Sequence, residues 1–483
     1  MNDVVVIGAG MGGLAAAIEL AAAGCAVEVV EAADGPGGKA AEVRVDGVPC
    51  DTGPTVLTLP DVARQLFLAA GTRLEDEVSL RVPDTALRVH LPDGSAFNVH
   101  HAVDDTLASV ERARGSAARQ QLERFLSRAR TTWEASADAF VYGPHPTPFR
   151  VLAMGPRRWW SLGRIDAHRS LWSVVCDDID DVALRWLMAR FATYNGSDPR
   201  TAPGTLSCIA WVELGLGVWG VDGGLHGLAR ALERVARRLG VRFRYGTPVR
   251  QVLHHDGAVT GVRLDDETLS CDAVVCNADV AHLFRALLDQ PGSRHAQRAP
   301  STSGWVGIVA ATPMERAAHE VIFPDDYLEE FVDLFDRRRA PADPTVTTCA
   351  LSVAHGRPRF DDGREPLYVM VNAPADADEP GLAACREATL ARLRSSGRIG
   401  DDDPVVWERG PRGLAQQYPD TEGSIYGADS SSVLAAFRRP PNRLPELRGL
   451  YAAGGSAHPG GGVPLCLQSG RRAARELLDA RGR

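Results

Sequence analysis

With 483 residues, 45% of them hydrophobic and 24% charged, the chain has the make-up of two or three ordinary domains, or of one large nucleotide-binding fold with an insertion. A disordered or low-complexity chain is excluded. Its 53 basic and 62 acidic side chains leave a net charge of −9, which offers no global basic footprint for nucleic acid. Nine cysteines without a CxxC pair, no signal-peptide pattern before Val4 and no apolar run of the ~20 residues a membrane span needs predict a cytoplasmic chain with no disulfide framework, no metal site and no segment across a bilayer.

In chain order, Asp3 to Ile7 reads as a buried parallel strand, Gly12 to Gly24 as a small-residue helix and Ala26 to Glu31 as a second strand, a βαβ opening. Further helices are expected over about Pro60 to Ala70 and Asp104 to Ala137, with a hairpin signal at Pro92 to Gly94 between them. Gly223 to Leu239 is a periodic helix that feeds short strands near 241–245, 248–254, 258–264 and 272–276. A last strand at Gly449 to Gly454 precedes a helix over Val463 to Leu478. Three separated α/β pieces predict one discontinuous domain, with the intervening segments forming another layer. Loops are expected near 288–304, 336–345, 374–381, 396–404 and 438–446.

The sharpest local signal is Gly8-Ala9-Gly10-Met11-Gly12-Gly13, set directly after a strand and opening a helix. In that setting Gly8 permits the tight turn, Gly10 lets the backbone approach a pyrophosphate, and Gly13 lets helix and strand pack closely. Glu31, ending the next strand, is placed to accept hydrogen bonds from an adenosine ribose and disfavours a 2′-phosphate there, so the ligand is FAD or NAD. Gly215-Leu-Gly-Val-Trp-Gly220 has the same spelling but lacks both the immediate helix and the distal acid, and reads as a structural loop. Gly35-Pro-Gly-Gly-Lys39, with Gly38 beside the only lysine of the chain, suits a loop hugging a diphosphate or a flavin edge, or else a solvated surface turn. Asp51-Thr-Gly-Pro-Thr55, including Gly53 and Pro54, is a compact turn whose backbone donors can face the same cofactor.

Seven of the nine tryptophans fall between Trp133 and Trp219. From Phe140 to Trp172 the chain carries Arg150, Arg157, Arg158, Arg164 and Arg169 against one acid, Asp166, with Phe149, Trp159, Trp160 and Trp172 interleaved. Rings beside guanidinium groups suit a lipid headgroup interface, and predict a peripheral membrane surface; the alternative is a helical layer with Trp in its core.

These N-terminal motifs, together with Ala192-Thr-Tyr-Asn-Gly196, Gly217-Val-Trp-Gly-Val-Asp-Gly-Gly-Leu-His226, Cys276-Asn-Ala-Asp279, Asp343-Pro-Thr345, Val371-Asn-Ala-Pro374, Ala436-Phe-Arg-Arg-Pro440 and the tail His458-Pro-Gly-Gly-Gly-Val-Pro464, resemble the FAD-dependent carotenoid desaturases, the phytoene desaturase family, over nearly the whole chain. Pro54-Thr-Val-Leu-Thr58 and Ala192-Thr-Tyr194 most resemble the hydroxycarotenoid 3,4-desaturase, or methoxyneurosporene dehydrogenase, branch.

The resemblance implies an α/β, amine-oxidase-like architecture: a discontinuous Rossmann-like FAD-binding domain from residues 1–80, 220–290 and 445–483, with a mixed α/β substrate domain inserted as 81–219 and 291–444. It implies FAD held by Gly8, Gly10, Gly12, Gly13, Glu31, Gly38, Lys39, Gly53, Pro54 and Thr55, with Val249 near the adenine and Gly455 and Val463 near the ribityl chain and ring. Relatives of the wider fold place an acid at the Gly455 position, so a backbone donor must substitute here, and Thr205 and Pro464-Leu-Cys466 also depart from the expected pattern. The implied reaction is desaturation of an acyclic carotenoid, at C3–C4 of a 1-hydroxy or 1-methoxy chain, or else of phytoene or neurosporene. The terminal electron acceptor, a quinone or oxygen, stays open. His458 is the candidate proton acceptor or ring-orienting group, with His226 expected to pack or cap its helix. Outside this family, a flavin amine oxidase and a non-catalytic isoprenoid-binding escort compete.

Overall fold

The computed structural model describes residues 3–147, 149–150, 165–297, 301–429, 431–432 and 435–482. Val4–Ile7 is buried along its whole length, as a parallel strand covered on both faces must be. It sits centrally in a five-stranded sheet ordered Leu450–Ala452, Ala273–Cys276, Val4–Ile7, Val27–Val30, Arg242–Arg244, every pairing parallel. The two-residue alternation of a strand sorts its side chains: Val4 and Val6 pack with the helices Met11–Ala22, Gly224–Arg238 and Val463–Ala480. Val5 and Ile7 face an antiparallel trio, Gln251–His255, Ala258–Arg263 and Thr268–Ser270. Sequence-distant stretches near 4–30, 242–276 and 450–480 thus build one sheet and its covering layers.

A second, seven-stranded mixed sheet runs Val405–Arg409, Ser303–Ala311, Glu365–Ala373, Val346–Ala350, His319–Ile322, Leu87–His90, Ala96–Val99. Helices Val103–Arg114, Ser116–Phe140, Leu171–Asp178 and Val182–Arg190 form a layer whose core joins Leu122, Phe125, Leu171, Leu184 and Leu187 to Val89, Phe97, Val321 and Phe323 of the sheet side. The helix expected over Asp104 to Ala137 is two, because Gly115 adopts φ +88°, a left-handed geometry that ends the first and starts the second. Two expected loops also end early. Ser303 already opens a fully buried strand, and Asp378 caps the helix Glu379–Ser395 by accepting from Gly381 N (2.7 Å).

Five of the clustered tryptophans lie among the described residues. Trp172, Trp186 and Trp211 pack on the helical-layer core, Trp219 packs on the core of the parallel-sheet domain, and Trp133 lines an internal cavity. Large rings in this layer therefore fill its interior. Trp159, Trp160, Arg157, Arg158 and Arg164 lie outside the described residues, while Phe149 is 79% exposed and Arg150 is exposed beside it. No helix among the described residues is long and apolar enough to cross a membrane, and no cluster of potential metal ligands occurs among them.

Candidate active site

One cavity of about 1070 Å³ runs from the glycine turn of the parallel sheet into the space between the two sheets. Gly8, Gly10, Gly12, Glu31, Gly38, Lys39, Gly53, Pro54, Thr55, Val249, Gly455 and Val463 all line it. Gly13 does not: a Cβ there would overlap Gly8 O, so its role is the close approach of helix to strand. Gly8 takes φ +95°. A Cβ on Gly10 would come within 2.5 Å of Asn277 Oδ1, and one on Gly12 within 2.8 Å of Asn277 Nδ2. The turn is thus glycine-rich partly to make room for Asn277, which the glycine motif by itself does not disclose.

Glu31 is held in place by its own backbone surroundings, with Oε2 accepting from Ala9 N (2.6 Å) and Oε1 from Ala33 N (2.8 Å). Lys39 is not a solvated surface charge. Its Nζ donates to the carbonyls of Ser424 and Ile425 (2.9 Å each) and stands 5.8 Å from the Tyr418 ring centroid. Burial lowers its pKa, with the Asp279 carboxylate opposing that shift. Gly53 must be small because a Cβ would overlap Lys39 O. Two helices, Met11–Ala22 and Val463–Ala480, start at Gly10 and Gly462 without a side-chain cap, and both starts face the cavity. Each therefore presents unpaired N–H groups and the positive pole of its dipole to whatever lies there.

His458 stands elsewhere. It is buried, its Nε2 lies 3.1 Å from Gly143 O, its ring packs edge-on to His145, and it is not among the cavity-lining residues. Burial pushes its pKa down to about 3, and it lies outside the cavity lining where the expected proton acceptor would stand. His226 packs as expected, with Nδ1 3.1 Å from Ala40 O. The Gly215–Gly220 stretch is a packed turn, in which a Cβ on Gly215 would overlap the Trp211 ring and one on Gly220 would overlap Ala354 O.

Beyond Thr55 the cavity is mostly apolar, with Ile209, Val212, Leu206, Val306, Met370 and Phe437 on its walls. Several functional groups there were not foreseen. His319 Nε2 lies 3.1 Å from Thr55 Oγ1, and its pKa falls to about 3 through burial, then through the nearby His355 and Arg190. Arg190, Tyr194, Glu213 and Thr347 form a polar island, and Tyr368 and Tyr426 also line the wall. Burial pushes the Glu213 carboxyl up to about 7 despite the Arg190 charge. The one sequence signal was a lone charge inside each of two apolar runs, Arg190 after Leu187-Met-Ala189 and Glu213 after Ile209-Ala-Trp-Val212.

Residues 11–478 match the family described as flavin containing amine oxidoreductase. The chain is 39% identical to the hydroxyneurosporene desaturase of Rhodobacter capsulatus, over 99% of this chain and 98% of that one. The chain belongs to the FAD-dependent carotenoid desaturases of the flavin-containing amine oxidoreductase family. It is also 33% identical to the zeta-carotene-forming phytoene desaturase of Myxococcus xanthus, over 98% and 93% of the two chains. Among solved structures, an oxidoreductase from Methanosarcina mazei superposes with a TM-score of 0.68 at 18% identity, covering 99% of both chains. Cyclohexylamine oxidase from Brevibacterium oxydans does so with 0.62 at 16% identity, covering 100% of both. These two similarities establish the shared amine-oxidase-like fold. The cofactor is FAD, and the residues fit it: an uncapped helix start beside an acid-ended strand meets the needs of a pyrophosphate and a ribose.

Proposed function

We propose that this desaturase acts at C3–C4 of an acyclic carotenoid bearing a hydroxyl or methoxy group on C1. The observation that carries the reading is the continuity of one cavity, from the dinucleotide turn at Gly10 to an apolar chamber that contains a polar island. Relatives named hydroxyneurosporene desaturase and 1-hydroxycarotenoid 3,4-desaturase, the latter 29% identical in a Flavobacterium, support it.

In this reading Gly8, Gly10, Gly12 and the start of Met11–Ala22 hold the pyrophosphate, Glu31 the adenosine ribose, and Val249 the adenine edge. Lys39, Gly38, Gly53, Pro54, Thr55, Gly455 and Val463 surround the flavin portion. Gly455 O accepts from Arg439 Nη1 (3.0 Å), and its N–H is the donor offered to the flavin portion. Bound FAD supplies the acceptor for a hydride equivalent, chemistry no side chain offers. The chain's own work is to hold one carbon pair at the Thr55 end, to exclude water with Ile209, Val212 and Met370, and to keep the long apolar molecule out of solvent. The expectation of a peripheral membrane face fits a substrate whose length is comparable with the bilayer core, roughly 30 Å, and exposed Phe149 beside Arg150 supports it.

The test is to mix flavin-replete enzyme anaerobically with a 1-hydroxylated acyclic carotenoid. Loss of the oxidised-flavin absorbance together with one added conjugated double bond in the pigment is expected. Flavin that stays oxidised with every acyclic carotenoid offered would leave the escort reading in its place.

A further inference from the structure

The chamber beyond Thr55 carries polar groups that removal of hydrogen from a hydrocarbon does not require. Arg190 is 8% exposed and lines the cavity. Its Nη1 donates to the Tyr194 hydroxyl (2.7 Å) and its Nη2 to Thr347 Oγ1 (3.3 Å). Both acceptors are neutral, and two bonds use only part of a five-donor guanidinium. Glu213, on the π-helical turn Trp211–Gly215, lines the same space, and such turns inside helices are frequent at functional sites. Among the described residues no ion pair joins it to Arg190, although each feels the other's charge. Close by, Tyr327 and Thr345 also line the cavity, and the buried Tyr327 hydroxyl has no hydrogen-bond partner. A buried cation, a nearby carboxyl and an unpartnered hydroxyl around an apolar chamber are costly unless something polar enters.

Their place in the fold says what enters. His319 pairs with Cys349 and Val321 with Thr347 across neighbouring strands, and His319 touches Thr55. Thr347 therefore lies on the strand beside His319, two residues from the Cys349 that pairs with it, an offset of about 7 Å along the strand. In a 1-hydroxylated chain the oxygen on C1 and the C3–C4 bond are about 4–5 Å apart by ordinary covalent geometry. An anchor for the oxygen at this island brings that bond toward the cofactor end.

We propose that Arg190, Tyr194, Glu213 and Thr347 form the receptor for the terminal hydroxyl of the carotenoid, and that this anchor selects the carbon pair that is desaturated. The inference rests on the carotenoid-desaturase reading. An alcohol accepts from Arg190 through a lone pair and donates its O–H to the Glu213 carboxyl. A methyl ether keeps the acceptor but loses the donor, and a plain hydrocarbon end dehydrates Arg190 and Glu213 while offering neither a further partner beyond Tyr194 and Thr347. The expected order of preference is hydroxyl, then methoxy, then hydrocarbon, because sites built to hydrogen-bond a hydroxyl reject analogues that lack it.

Two measurements on the flavin-replete enzyme test this. The first is kcat/KM for a 1-hydroxylated acyclic carotenoid and for the same chain without the hydroxyl. The second is binding of each chain to dithionite-reduced enzyme, which cannot turn over. Wild type is expected to prefer the hydroxylated chain by roughly 100-fold or more in kcat/KM, with tighter binding in parallel. Glu213→Leu should bring the two chains within about 10-fold of each other, while Glu213→Gln, whose amide oxygen still accepts, keeps most of the preference. Should Glu213→Leu fail to fold, the wild-type comparison of the two chains on the reduced enzyme decides. Equal kcat/KM for the two chains in wild type overturns the anchor while the desaturase reading stands; desaturation of neither chain overturns both.

Discussion

The Glu31 carboxylate shows how one residue can serve fold and ligand together. It accepts from Ala9 N and Ala33 N, so Glu31→Ala should cost roughly 1–3 kcal/mol in the flavin-free protein through the buried Ala9 N–H, as urea unfolding would show. It should also release flavin on dialysis, read as lost absorbance of the oxidised cofactor; full flavin retention would remove Glu31 from the ribose site. Gly10 poses a sharper question, since a Cβ there meets Asn277 Oδ1. Gly10→Ala should lose flavin, and the double variant Gly10→Ala, Asn277→Ala separates the two causes. Flavin restored in the double variant means the glycine serves Asn277; flavin still lost means the backbone itself must approach the phosphates. The glycine turn was legible in the sequence because its physics is local to six residues. Arg190 and Glu213 were not assigned because they come together only through tertiary folding, and the placement of His458 outside the cavity lining was not legible because a sequence does not state which way a ring points.

Among elements, the turn at Asp51 joins pieces that the chain keeps far apart. Arg357 donates through Nε to Asp51 Oδ2 (2.9 Å) and through Nη2 to Glu42 Oε2 (3.0 Å), with Arg357 and Asp51 buried and Glu42 half-buried. Asp51 Oδ1 also receives His226 N (3.3 Å) at the start of the helix Gly224–Arg238. Removing one member of a buried pair strands the other charge, so Asp51→Ala should lower stability by about 3–5 kcal/mol, measured by urea unfolding; a change under about 1 kcal/mol would mean that the cluster is hydrated in solution. Strands and helices of the parallel-sheet half were legible because their buried runs and glycine stops are strong local signals. The break at Gly115 and the early start of Ser303–Ala311 were not, because a single left-handed glycine and a tertiary pairing decided them.

For the whole molecule, several imidazoles are kept neutral inside. Burial holds His458 and His319 down to about 3 and lowers His355 as well. An unfolded histidine titrates near 6.5, so between about pH 3 and 6.5 the unfolded chain binds more protons than the folded one. Stability from His458 and His319 is complete above that window and falls as pH drops through it, by about 1.4 kcal/mol per pH unit for each of the two. Urea midpoints at saturating FAD should therefore decline from pH 7 to pH 5, and His458→Asn should flatten the decline; an unchanged slope would show the His458 site to be open to water. The proposed membrane association predicts flotation with anionic liposomes that salt partly reverses, since charge attraction is screened and ring insertion is not. An Arg157→Ala, Arg158→Ala, Trp159→Ala, Trp160→Ala variant that floats like wild type would remove these four residues from that proposal.

The packing of Met11–Ala22 on Val463–Ala480 also sets a timetable. A Cβ on Gly470 would overlap Gly12 O, Arg471 Nε donates to Glu19 Oε1 (2.6 Å), and Leu450–Ala452 closes one edge of the sheet that Val4–Ile7 begins. At about 5–20 residues per second, the ribosome needs tens of seconds after making the glycine turn before it makes the helix that the turn packs against. During that interval the turn has no second wall, and the apolar side chains of residues 11–20 have no partner from 463–477. Flavin therefore meets a chain whose synthesis has passed residue 480, and a nascent chain halted before residue 450 should carry none.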